Sequence, residues 1–265
     1  MKKTLLIVVV LILGVLFFAF HNHKDASKKL RIGASPAPHA EILELVKEEL
    51  EKSGVTLEII EFTDYVAPNI ALSEGQIDAN FFQHAPYLEN FARERGLDLV
   101  SLTAIHIEPM GLYSEKIKGV AELREGAVVA IPNDPVNEGR ALLLMQANGL
   151  IKLRPEAGLE CVPSDIYGNP KKLEFKELEA AQLPRALADV DAAVINGNYA
   201  VEAKLNPTKD ALLLENADSP YANIIAVRKE AKDDPRFQKL VKALKTDKIK
   251  NRILQKYQGG VVPAF

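Results

Sequence analysis

The apolar positions of this chain follow three spacings, and each predicts a different kind of element. From Leu5 to Phe20 they are unbroken, preceded by Lys2 and Lys3 and followed by the polar stretch His21 to Lys29. About 16 apolar residues in a helix reach about 24 Å, short of a hydrocarbon core of roughly 30 Å. Length alone therefore admits both a cleaved signal segment and a short membrane anchor. Signal peptidase favours small residues before its cut, whereas Phe17, Phe18 and Phe20 crowd the end of the run around a solitary Ala19. The two lysines orient the amino terminus to the cytoplasm, so everything after the run is expected to be exported.

From Leu30 onward the spacing alternates between strand-like and helical. Leu30 to Ala34 reads as a strand, and His39 to Lys52 as an amphipathic helix with Ile42, Leu43, Val46 and Leu50 on one face and Gly54 at its end. Val55 to Phe62 is β-rich, Asn69 to Glu74 helical, Gln76 to Phe82 a strand, and Tyr87 to Arg95 a helix. The same order recurs with Ala127 to Ile131 as a strand, Glu138 to Asn148 as a helix closed by Gly149, and Asp191 to Ile195 as a strand. Such alternation predicts an α/β fold with mostly parallel sheets covered by helices. Two segments break the pattern, Glu108 to Ser114 (EPMGLYS) and Asp218 to Val227 (DSPYANIIAV). Each sets proline and small residues beside a strand-like run, as expected where a chain crosses between two lobes at a hinge. The division expected from them is 1–29 as leader and polar tether, 30–109 with 224–265 as one lobe, and 110–223 as the other.

Composition narrows the chemistry. The 265 residues are 48% hydrophobic and 26% charged, enough apolar content for a substantial core, and the net charge of -3 is spread without a basic face for nucleic acid. The single cysteine, Cys161, excludes an intrachain disulfide and reads best as a small buried residue. There is no GxSxG, HExxH or CxxC, no phosphate loop, and no metal-ligand spacing among His21, His23, His39, His84 and His106 beyond the first pair in the tether. Neither an enzyme, a metal centre nor a cofactor is expected.

Polar groups at the ends of strands are the candidates for binding, because ligands of open α/β sheets sit there. In DANFFQHAPYL, alternation turns Phe81 and Phe82 to opposite sides, so only one of them can line a cleft; Phe82, His84 and Tyr87 could form an apolar wall with a polar rim. In IPNDPVNEGRALLL, Arg140 lies in the first turns of a helix, where the macrodipole disfavours a cation and an anionic partner is implied. That partner is either a ligand carboxylate or a neighbour such as Glu138 or Asp134. Asn196 follows the strand DAAVI, and Asn223 sits in SPYANII. Either amide could make a local turn or accept a bond from a ligand ammonium. An arginine for a carboxylate with asparagines for an ammonium would clamp a zwitterion.

At these residues the sequence resembles the methionine-binding lipoproteins of bacterial ABC importers. The likeness runs from about Leu30 to the end and rests on DANFFQHAPYL, EPMGLYS, IPNDPVNEGRALLL, NGNYA, SPYANI and the terminal GGVVPAF. It implies a two-lobed periplasmic-binding-protein architecture that closes on L-methionine and delivers it to a membrane permease and its ATPase, outside the cytoplasmic membrane. It also implies an aromatic wall of Tyr65 (in TDYVAPN), Phe82, His84 and Tyr87, with Arg140 for the carboxylate and Asn196 and Asn223 for ammonium and carboxylate. Another apolar amino acid or a short methionine peptide is the alternative within the class, and an enzyme on the same architecture the alternative outside it. One departure stands out: the family's leader ends in a lipid-bearing cysteine, and none precedes Cys161 here. An uncleaved helix from Leu5 to Phe20 is the expected substitute as a membrane anchor.

Overall fold

A computed structural model describes residues 28–216 and 219–265. The apolar leader and most of the tether lie outside the described residues, as do Ala217 and Asp218, the latter the first residue of the second crossing segment. The chain first lays down β1 (Lys29–Ala34), β2 (Thr56–Glu61), β3 (Ala79–His84) and β4 (Leu99–Ile107). It then forms β5 (Gly111–Tyr113), β6 (Val128–Pro132), the short β7 (Lys152–Leu153) and β8 (Ile166–Gly168), β9 (Glu174–Leu178), β10 (Ala192–Ile195) and β11 (Leu213–Leu214). Finally β12 (Ala222–Arg228) and β13 (Val262–Pro263) return. One sheet has the order β13-β4-β12-β3-β1-β2 and the other β11-β5-β10-β6-β9, with β7 and β8 as a separate pair. The early and final segments thus share one sheet, and β5, β6, β9, β10 and β11, between Gly111 and Leu214, form the other.

The sheets are mixed rather than mostly parallel, which corrects the expectation from sequence. β1 runs parallel to β2 and β3, and β6 parallel to β9 and β10, where helices make the crossovers. β12 is antiparallel to both β3 and β4, and β5 antiparallel to β10 and β11. The antiparallel members are the strands next to the two crossings. A chain passing straight from one lobe into the other arrives without a helical return, and so without the crossover that parallel pairing requires.

The predicted first helix is also not continuous. It divides into Glu41–Glu44 and Lys47–Lys52, yet Ile42, Leu43, Val46 and Leu50 are all at most 1% exposed and pack on β1 in the first core. The apolar spacing was right about the face and silent about the break. Strand β3 is buried along its whole length, as befits a central strand covered on both faces. Its Phe81 enters the core against His39 and His106, while Phe82 points the other way toward Tyr65 and Tyr87. Among the described residues no helix is long and apolar enough to cross a membrane.

Candidate functional site

Three helices begin where strands end, and their first turns face one another across a cleft. Ala85–Arg95 follows β3 directly, Pro135–Ala147 follows β6, and Gly197–Glu202 follows β10. Each start is specified locally. His84 is the N-cap of the first, accepting the Tyr87 N–H at Nδ1 (3.2 Å), and Pro86 opens the helix. Asp134 caps the second through the Asn137 N–H (2.9 Å), followed by Pro135. The third departs from the rule: Asn196 holds the N-cap position but makes no capping bond. Its Nδ2 donates instead to Asn137 Oδ1 (2.8 Å), and its Oδ1 is buried with no partner.

The cleft is narrow, its cavity about 20 Å3 for a water-sized sphere. All seven residues singled out from sequence line it: Tyr65, Phe82, His84, Tyr87, Arg140, Asn196 and Asn223. Five others join them, Gln83, Glu108, Asn137, Gly197 and Asn198, which sequence reasoning missed. Tyr65 stacks between Phe82 and Tyr199, with ring centroids 5.9 and 5.0 Å away, and donates its hydroxyl to Asn198 Oδ1 at 2.5 Å. The Tyr87 hydroxyl donates to the Tyr65 carbonyl at 2.9 Å. The aromatic wall is therefore cross-braced rather than loosely apolar.

His84 belongs to that wall, but as a buried strut rather than a rim. Because Nδ1 accepts the Tyr87 N–H, the proton sits on Nε2, which donates to Asn137 Oδ1 at 3.2 Å. Burial, and then the nearby Arg140 charge, push its pKa down to about 3, so it stays neutral at physiological pH. Asn137 consequently receives His84 from one lobe and Asn196 from its own, while its Nδ2 donates to both Asp134 oxygens at 3.0 Å. The available signal for Asn137 was its place three residues after an N-capping aspartate, which puts its side chain at the helix mouth.

Arg140 is 3% exposed, which settles that it is not a surface residue. Its partner is neither Glu138 nor Asp134 but Glu215, 75 residues away, held through Nε (3.0 Å) and Nη2 (2.5 Å). Nη2 also donates to the Glu108 carbonyl at 2.8 Å, and the guanidinium lies 4.3 Å over the Tyr221 ring. No spacing in the sequence could have linked positions 140 and 215; the pair exists because the two crossings meet. Gly197 is required nearby, since a Cβ there would lie 2.6 Å from the Glu108 Cβ. Only glycine lets the Asn196–Asn198 turn press on the first crossing.

Behind the cleft is a second polar group that the histidine spacing did not foreshadow. The Nε2 atoms of His106 and His39 reach Glu108 Oε1 at 2.6 and 3.2 Å, and His39 Nε2 also lies 3.1 Å from Asn223 Oδ1. The three donor atoms fall within 4.8 Å of one another. Burial lowers the pKa of His39 to about 4 and of His106 to about 3, and raises that of Glu108. With neither Nδ1 partnered, the second contact that usually orients a metal-bound imidazole is missing, so the group reads as two N–H donors on one carboxyl. Its consequence for the cleft is orientation. With Asn223 Oδ1 engaged by His39, the Asn223 Nδ2 is left as the donor. Cys161 is remote from this chemistry: it is fully buried against Gly139, and burial raises its pKa to about 11.

The family model for the NlpA lipoproteins matches residues 30–265. The chain belongs to that family. It is 43% identical to a probable D-methionine-binding lipoprotein, MetQ, of Pasteurella multocida over 91% of this chain and 88% of that protein. Among solved structures it is 49% identical to a nutrient-binding protein from Burkholderia cenocepacia bound to methionine, with a TM-score of 0.87 over 89% of this chain and 100% of the other. A periplasmic substrate-binding protein of an ABC transporter from Coxiella burnetii is 45% identical, with a TM-score of 0.85 over 89% and 100% of the two chains. The three proteins named are thus described as binding proteins, and the two solved structures share the fold of this chain.

Proposed function

We propose that this chain is the extracytoplasmic solute-binding component of an ABC importer, that it captures methionine between its lobes, and that it delivers it to the permease and ATPase of that importer. The observation that carries the reading is the polarity of the cleft. Donors face it from Arg140 and Asn223, an unpartnered acceptor faces it from Asn196 Oδ1, and an aromatic wall closes the remaining side. A free amino acid presents those complements: a carboxylate for the donors, an ammonium for the acceptor, and an apolar tail for the rings. Sulfur–aromatic contacts of about 0.3–1.5 kcal/mol favour a thioether tail over an aliphatic one of similar length.

In this reading Tyr65, Phe82, His84 and Tyr87 hold the side chain, Arg140 and Asn223 the carboxylate, and Asn196 the ammonium. The lobes divide near residue 110 and just before Ala222, so that Asn223 belongs to the first lobe through its pairing with His84 and His106. The membrane anchor is the apolar run Leu5 to Phe20, retained in place of a lipid because no cysteine precedes Cys161. Confinement near the transporter raises the effective concentration of the loaded protein.

Mass spectrometry of the small molecules released on denaturing the purified protein tests the ligand, and methionine is expected. Recovery of a different amino acid, with none of methionine, would overturn the assignment. Intact-mass analysis of protein from the membrane fraction tests the anchor: a chain that begins after Phe20 and is recovered mainly in the soluble fraction would remove it.

A further inference from the structure

The guanidinium of Arg140 has two usable edges; Glu215 fills one, the Glu108 carbonyl takes the Nη2 N–H of the other, and Nη1 is left open. Glu215 occupies the Nε/Nη2 edge with both carboxylate oxygens, while Nη1 makes no hydrogen bond among the described residues. Arg140 lines the cleft and Glu215 does not, so the carboxylate grips the arginine from behind. Glu215 is also fixed to the first crossing: its N–H donates to the Met110 carbonyl (2.8 Å), and its Oε2 accepts the Met110 N–H (3.3 Å). Glu215 follows β11 on the second crossing, and Tyr221, whose ring covers the guanidinium, precedes β12 on the same crossing. Both chain segments between the lobes therefore converge on one cation, the first through the Glu108 carbonyl and Met110, the second through Glu215 and Tyr221.

We propose that Glu215 is the positioning residue of the carboxylate subsite, fixing the plane of Arg140 and tying it to both crossings. This rests on the amino-acid reading given above. Three consequences follow from the geometry. A guanidinium already held by Glu215 and the Glu108 carbonyl loses little freedom when its open Nη1 takes a ligand carboxylate, which strengthens binding by pre-organisation. The paired charges sum to zero, so the cleft suits a net-neutral zwitterion better than an anion. And because the hinge segments share the same arginine, a ligand that holds Nη1 also braces the segments about which the lobes would open.

The test uses the full-length protein carrying Glu215→Gln, which keeps the size and one acceptor oxygen but loses the charge and the second acceptor. Two probes are titrated by thermal shift to high millimolar concentration: L-methionine, and L-methioninol, which shares its ammonium and side chain but has no carboxylate. The expected result is a loss of at least about tenfold in methionine affinity, methioninol affinity within about twofold of the wild type, and no further loss when Glu215→Gln is combined with Arg140→Ala. Should Glu215→Gln fail to fold, Glu215→Asp keeps the charge but shortens the reach, and the same carboxylate-selective loss is expected. Methionine affinity within twofold of the wild type, or an equal loss for both probes, would overturn the proposal. A wild-type protein that binds neither probe would instead overturn the methionine reading, which keeps the two failures distinct.

Discussion

The two walls of the cleft are built from different chemistry and specified in different ways. The wall from the first sheet is mainly aromatic, with Tyr65, Phe82 and Tyr87 packed ring to ring and the amides Gln83 and Asn223 beside them. The wall from the second lobe carries two hydrogen-bonded groups, Asn196 with Asn137 and its cap Asp134, and Arg140 with Glu215 behind it. The first can tolerate adjustment, because ring contacts are non-directional and change gradually with distance. The second cannot, because a buried polar group that loses its partner costs its full desolvation. On the proposed reading, recognition is divided by chemistry: the amides and Arg140, with Asn223 from the first sheet, take the charged end of the ligand, and the aromatic rings take the side chain.

The largest effect is expected at Arg140. Arg140→Ala removes hydrogen bonds to a charged group, worth roughly 1.5–3 kcal/mol each, and strands Glu215 without its cation, so methionine affinity should fall at least about a hundredfold. Arg140→Lys should recover little, because an ammonium cannot engage Glu215 and a ligand carboxylate along two edges of one plane. Calorimetric titration of both variants checks this, and affinity kept within a few-fold by either would erase the distinction between the walls. Asn196→Ala comes next, with a loss of about ten- to a hundredfold expected from one charge-assisted bond. The loss should shrink for an analogue that lacks the ammonium, which identifies the group that Asn196 Oδ1 serves.

On the aromatic side the effect is smaller and of another kind. Phe82→Ala should weaken methionine by about tenfold, the scale of one ring's contacts with a thioether, and leave the weak binding of alanine unchanged. Equal losses for the two amino acids would mean that Phe82 supports the fold rather than reads the side chain.

The smallest effect concerns stability, at Glu138, one helical turn from Asp134. It is 5% exposed with Oε1 unpartnered, and burial, then Glu177 and Asp134, raise its pKa to about 7. A carboxyl whose folded pKa lies above its unfolded value stabilises the fold below the unfolded value, near 4.5, and that stability is lost as pH rises through about 7. Glu138→Gln should therefore raise the melting temperature by a few degrees at pH 8 and by little or nothing at pH 4.5 or below. Melting curves across that range check the sign, and a variant less stable than the wild type at pH 8 would contradict it.

What was legible in the sequence follows the same divide. The aromatic wall could be read because Phe82, His84 and Tyr87 lie within six residues, on one strand end and the helix it opens, where alternation and capping fix direction. The strands and the faces of the helices could be read for the same local reason. The partner of Arg140 could not, since Glu215 reaches it only through the meeting of the two crossings. Nor could the grouping of His39, His106 and Glu108, which brings a helix entrance against the end of β4, 67 residues away in sequence, or the antiparallel strands beside the crossings. Local periodicity reports which way a residue faces, and long-range pairing decides what it meets there.

The proposed function requires that a zwitterion with a thioether tail be held between these two walls. Its most direct test is calorimetric titration of protein unfolded and refolded to strip any carried ligand, with methionine of each hand set against leucine, alanine and glutamate. Saturable one-to-one binding of methionine, weaker binding of leucine and alanine, and no heat with glutamate are expected. Saturable binding of another amino acid with none of methionine would contradict it.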